Sequence, residues 1–265
     1  MKGKIKRIRE LKHKARRKSI GEGVFAAARS SLGNYYTLPF AIAINSSNAM
    51  VAMFSSVSGI LGPLSQMFSS KLIGKYSRKK IVTRTVLYES LTWLLFILVA
   101  FLYIKDIITN ILLVIFLLFF SLNVMISNSI TPAWFSWHGD IVDKKFRGRW
   151  FSKRNLITDF VSVVLAIMAA FALDYFKSSG HVMLGFGILF FLAFSARISS
   201  WKMFSKMYEP KIKVKKENHF SFSDFIIKSG TNNFGKFTIF RGMLEFATFI
   251  YWPLITIYLV TSSHR

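Results

Sequence analysis

The chain has 265 residues, of which 52% are hydrophobic and 28 are Phe, with a formal net charge of +24 and no cysteine. Its apolar runs continue for roughly 20 residues at a time, which excludes an ordinary soluble domain and fits membrane helices better than the alternating strands of a barrel. Without cysteine there are no disulfides and no thiolate metal sites.

The expected class is therefore an all-α, polytopic membrane protein. A charge this positive in a soluble protein would suggest nucleic acid. Here Lys and Arg gather in loops beside alternate apolar runs, so topology accounts for them, and no nucleic-acid partner is expected.

Residues 1–20 form a basic tail, with ten Lys or Arg against the single acid Glu10. Such an arm is drawn to anionic headgroups at the cytoplasmic face. The first span is expected from Gly21 to Ile44, and the uncharged turn Asn45–Asn48 follows. Span two runs over Asn48–Leu72 and span three over Ile81–Tyr103. Between them lies the densely basic turn Ser70–Arg84, which fixes both helices with this turn inside.

Span four covers Ile108–Phe135 and ends in Trp134, Phe135 and Trp137, read as an interfacial aromatic belt. A second basic loop, Trp137–Asn155, precedes span five at Leu156–Phe176, and span six follows at Val182–Phe204. Residues 205–235 are a basic linker that includes Pro210, and Phe220–Lys228 within it reads as a short amphipathic helix or a solvated loop. The seventh span is expected over 236–260. Basic loops on one side and nearly uncharged turns on the other predict seven spans with the N-terminus in the cytoplasm of a cell membrane. The predicted domains are the tail (1–20), a six-span bundle (21–204), the linker (205–235) and the seventh span, which opens another bundle.

Two loops give this layout a family resemblance. In Ser70–Lys79 the basic residues Lys75, Arg78 and Lys79 stand where the loop between spans two and three of the major facilitator superfamily is basic. Asp140, Arg147 and Gly148 are similar to its Arg-Gly stretch between spans four and five. The chain departs from the pattern at Ser70 and Ser77, which replace glycines, and at Gly74, which replaces the acid of a cytoplasmic latch. Arg78 and Lys79 are then left to pair with other acids or with lipid phosphates. The resemblance implies two six-helix bundles that move a small solute by alternating access. It also implies that a C-terminal half or another copy completes the path, since only seven spans are read here.

Charges at membrane depth are costly and usually face a cavity or a partner. Glu22 and Arg29 lie seven residues apart on one face of span one, as a snorkelling pair or toward a cavity. Glu89 in span three is the candidate coupling site, with a structural pair to Arg84 or a basic loop residue as the alternative. Asp159 suits the start of the fifth helix. Arg241 and Glu245, four residues apart, are expected to pair on one face of span seven.

The polar residues Arg29, Asn34 and Tyr35 of span one, with Asn123 and Asn128 of span four, are the expected solute contacts, and helix–helix hydrogen bonding is the competing use. Five scattered His residues without ligand spacing, and no nucleophile or phosphate-loop motif, argue against an enzyme, a cofactor or a metal. Two functions follow: a facilitator-type secondary transporter, and a non-transporting structural or assembly protein derived from half of one.

Overall fold

A run of Leu, Ile, Val and Phe long enough to cross lipid must satisfy its backbone internally, and in the computed structural model these runs are helical. The structure describes residues 2–73, 75–210, 227 and 229–262, with no β-strand among them. They belong to two compact units, Met1–Lys211 and Ile212–Arg265.

In the first unit α1 (Lys2–Arg29) passes through a five-residue π turn (Ser30–Asn34) into α2 (Tyr35–Ala43). Then come α3 (Asn48–Ser70) and α4 (Arg78–Ile104). Next are α5 (Thr109–Ser129), α6 (Thr131–Ile141), a 3-10 turn (Lys144–Phe146), α7 (Arg147–Ser178) and α8 (Val182–Ser205). The second unit contributes α9 (Asn233–Ser262).

The boundaries have local causes. The Ser47 and Ser77 hydroxyls each accept from the backbone N–H three residues on, at Met50 and Lys80, and so cap α3 and α4. Pro132 has no N–H to offer Asn128, so the fourth apolar run divides at Ile130 into α5 and α6.

Among the described residues five stretches are long and apolar enough to cross a membrane: Ala49–Ser70, Arg78–Ile104, Ile111–Ile141, Lys144–Ser178 and Val182–Ser205. The protein is thus an all-α, polytopic membrane protein. The predicted first span is helical but is not one apolar element, because α1 joins the basic tail to it and the π turn interrupts it. From residue 2 to residue 43 the helical path is about 60 Å long, twice a hydrocarbon core of about 30 Å. The amphipathic segment expected at Phe220–Lys228 lies outside the described residues except for Ile227.

In the first unit α3 packs on α5, α5 on α4, α4 on α8, α8 on α1 and α1 on α7, with α4 and α8 sharing the longest contact. Two apolar layers fill this bundle. One centres on Phe40, which meets the rings of Phe116, Phe186 and Phe190 edge-on at 4.9, 5.3 and 5.2 Å, and continues through Phe54, Trp93 and Phe96. The other, near the basic loops, contains Ala15, Ile81, Val86, Trp137, Ile141 and Phe204. On α4, Glu89 falls between Val86 and Trp93, and on α8 Arg197 falls between Ala193 and Phe204. A polar layer therefore separates the two apolar ones.

The expected aromatic belt is placed differently. Trp137 is fully buried, with its indole N–H donating to the Tyr208 carbonyl at 3.1 Å, and only Phe135 of the three faces outward. Trp134 is half-buried, stacks on His138 at 4.0 Å and lies beneath the Arg154 guanidinium at 4.8 Å in cation–π contact.

Close approach of α2 and the π turn to α4 and α8 depends on Gly33. A Cβ there would lie 2.4 Å from the Trp93 ring and 2.9 Å from the Ala193 side chain, whereas one at Gly59 meets nothing. Gly33→Ala is expected to destabilise the bundle by about 1–3 kcal/mol, the usual cost of overpacking. Gly59→Ala, in the open interior of α3, should leave the midpoint unchanged or raise it slightly through helix propensity, and thermal unfolding of both variants in detergent checks the difference.

Candidate functional site

The polar layer is a network of five charged side chains drawn from four helices. Glu89 of α4 is fully buried, and its Oε2 accepts from Arg197 Nε at 2.8 Å and from the same guanidinium's Nη2. Its Oε1 faces Arg29 Nε of α1 at 3.2 Å. One helical turn beyond Arg197, Ser200 bridges the two halves: its hydroxyl lies 3.2 Å from Arg197 Nη1 and 3.2 Å from Glu22 Oε1. Glu22 Oε2 accepts from Arg154 Nη2 of α7 at 3.0 Å, and Arg154 Nε donates to the Ser19 carbonyl at 3.3 Å.

All five charged residues are at least nine-tenths buried. The layer holds three guanidiniums and two carboxylates, so it carries one positive charge in excess.

Local geometry explains why these side chains meet. Glu22 and Arg29 lie on one face of α1, but seven residues of helix separate them by about 10.5 Å, too far for a direct contact. Of the two uses expected for them, pairing with each other is not the one seen. Each instead reaches across to a neighbouring helix, Glu22 to Arg154 and Arg29 to Glu89. Gly23 makes room for this, since a Cβ there would sit 2.8 Å from both Arg154 Nη2 and Thr158. Arg84 is exposed and does not face Glu89, whose partners are Arg29 and Arg197.

Two of these arginines escape a reading of the sequence for different reasons. Arg197 stands alone in the apolar run of α8, and the rule that makes an intramembrane charge a site would have found it. Arg154 looks like one more basic loop residue, but α7 begins at Arg147 and carries it into the bundle.

The remaining expected contacts separate into two groups. Asn123 is buried, with its Nδ2 donating to Thr92 Oγ1 of α4 at 2.6 Å. Asn128 Nδ2 donates to the Val124 carbonyl at 2.9 Å, and its Oδ1 accepts from Gln66 Nε2 of α3 at 3.1 Å. Both amides thus bond within the bundle. Asn34 and Tyr35 are exposed on the first unit, with Tyr35 Oη 3.4 Å from Ser162 Oγ of α7. Below them Ser31 Oγ meets Ser162 Oγ at 2.7 Å, and Tyr36 Oη donates to the Ala166 carbonyl at 2.9 Å. In the second unit Arg241 and Glu245 form an i,i+4 ion pair on α9, with both side chains well exposed.

The two loop motifs converge on Arg78 at the start of α4. Its buried guanidinium donates from Nη1 to Asp140 Oδ2 at 2.6 Å and the Ser136 carbonyl at 2.7 Å, and from Nη2 to the Pro210 carbonyl at 3.0 Å. Its backbone N–H donates to Glu209 Oε1 at 2.8 Å. One residue thereby ties α4, α6 and the strand of chain after α8. Arg147 Nε donates to the Val142 carbonyl at 3.3 Å, Lys79 is half-buried, and Lys75 and Gly148 are exposed.

Compared with known families, curated proteins and solved structures, the chain matches none.

Because Glu89 answers two guanidiniums at once, Glu89→Gln is expected to cost about 3–5 kcal/mol by stranding buried positive charge. Adding Arg197→Gln to it should cost far less than the two single changes together. A double-mutant cycle read by thermal unfolding in detergent checks the coupling, and strict additivity would show that the pair does not interact.

Proposed function

We propose that this chain is a facilitator-type secondary transporter, or forms one of its bundles, and moves a small solute across the cell membrane by alternating access. Its N-terminus is cytoplasmic, as the basic tail and basic loops favour. The observation that carries this reading is the charged layer itself. Five ionisable side chains linked over four helices, at the level where the apolar layers part, are costly to bury and most often mark a solute or ion pathway.

Two further features support it. The π turn lies directly after Arg29, and such turns recur at functional sites. The exposed polar positions Asn34 and Tyr35 follow within that turn and just beyond it, where a solute between this bundle and a partner bundle would meet span one. The anchoring by Arg78 keeps α4, α6 and the chain after α8 together, which suits a bundle that rocks as one body. The resemblance in the Ser70–Lys79 and Asp140–Arg149 loops points the same way.

Uptake by proteoliposomes tests the proposal without presuming a substrate. Vesicles holding the purified full chain, and protein-free vesicles, are incubated in a mixed metabolite extract and their washed contents compared by mass spectrometry. One solute, or one chemically related set, should accumulate saturably in the protein-bearing vesicles alone. Identical contents in both would favour the structural or assembly role instead.

A further inference from the structure

The charge balance of the polar layer indicates what kind of solute it receives. Each carboxylate is engaged: Glu89 by Arg197 and Arg29, and Glu22 by Arg154 and Ser200. Arg197 spends Nε, Nη1 and Nη2 on these partners, and Arg154 spends Nε and Nη2. Arg29 is different. Its Nε is buried and faces Glu89 without the alignment of a hydrogen bond, whereas Nη1 and Nη2 are not among the buried atoms and donate to no described residue.

The charged groups close enough to act on Arg29 are Glu89, Glu22 and Arg197, and both acids are already shared with other arginines. The guanidinium is nine-tenths buried, with four terminal N–H groups unspent and one positive charge of the layer uncompensated. The uncompensated charge is expensive in a bundle interior, and one ligand of opposite charge with a pair of acceptor oxygens would meet that charge and the open N–H groups together.

We propose that Arg29 is the binding contact for a small oxyanion, a solute bearing a carboxylate or phosphate group, held bidentately by Nη1 and Nη2. The inference rests on the transport reading and deepens it. The fork geometry selects a planar pair of oxygens, which a neutral sugar or polyol does not present with charge. The π turn immediately after Arg29 widens the backbone there, with the Tyr35 N–H reaching back to the Ser30 carbonyl.

The test uses the full chain in lipid nanodiscs, with thermal unfolding read against concentration. The probes are sodium lactate, sodium succinate and sodium phosphate, with glucose and glycerol as neutral counterparts and ionic strength held by sodium chloride. At least one oxyanion should raise the melting midpoint saturably, and glucose and glycerol should not. Arg29→Gln should abolish the response. Arg29→Lys, which keeps the charge but loses the fork, should weaken the apparent affinity by about tenfold, the worth of one charge-assisted hydrogen bond. If Arg29→Gln does not fold, the lysine variant alone decides.

An unaltered response in the folded variants would overturn the assignment to Arg29. A response to glucose or glycerol alone would overturn the anion class and leave the transport reading standing. Silence toward all three oxyanions would also overturn the inference, while metabolite uptake by the proteoliposomes judges transport separately.

Discussion

Glu89 is the residue around which the first unit is arranged. A carboxylate with no exposed surface, set among apolar helices, demands positive partners, and the chain provides Arg29 from α1 and Arg197 from α8. Meeting that demand fixes the axial register of three helices, because a slip of one residue on any of them would strand a charge. Ser200 and Glu22 extend the same constraint to α7 through Arg154. The glycines at 23 and 33 follow from it, since they allow α1 and the π turn to approach closely enough for the side chains to meet.

The layers on either side have a simpler logic. Rings of Phe and Trp fill one and Ile, Val and Trp the other, and both would tolerate substitutions that keep volume and apolar character. The pairs Glu89–Arg197 and Glu22–Arg154 tolerate no such exchange at one partner alone, because it leaves the other unpaired. Buried ion pairs add little net stability, so their presence is better explained by specificity of packing and by use. A charged layer between the two apolar ones, with a polar stretch of span one exposed beside it, would serve both under the proposed function. The anchoring of Arg78 at the basic end serves the first of these, because it prevents α4 from moving independently of α6.

Much of the helical architecture is legible in the sequence because apolar run length and flanking charge are strong, additive signals. The division of the fourth run at Ile130 is explained by Pro132, yet Pro63 sits within an unbroken α3, so proline alone does not predict a boundary. The unusual standing of Glu89 and Arg29 is visible because each breaks an apolar run. Their partners are harder to infer. Arg154 resembles its basic neighbours until α7 is seen to start at Arg147, and pairing across helices depends on rotation that no linear spacing reports. The same limit applies to the amides: sequence cannot tell that Asn123 turns toward Thr92 while Asn34 remains exposed. Trp137 illustrates the reverse error, since a tryptophan at the end of a run reads as interfacial, but the Tyr208 carbonyl gives its N–H a buried partner.

Under the proposed mechanism span one walls a water-accessible path, and the lack of native cysteine makes that directly measurable. A single cysteine placed by Asn34→Cys, and separately by Asn123→Cys, would be challenged with a membrane-impermeant thiol reagent applied to either side of sealed vesicles. Reaction at position 34 from both sides, as an alternating path requires, and protection at position 123 inside the bundle are expected. Protection at position 34 from both sides would place that surface in lipid or in a closed interface, and would contradict the transport mechanism.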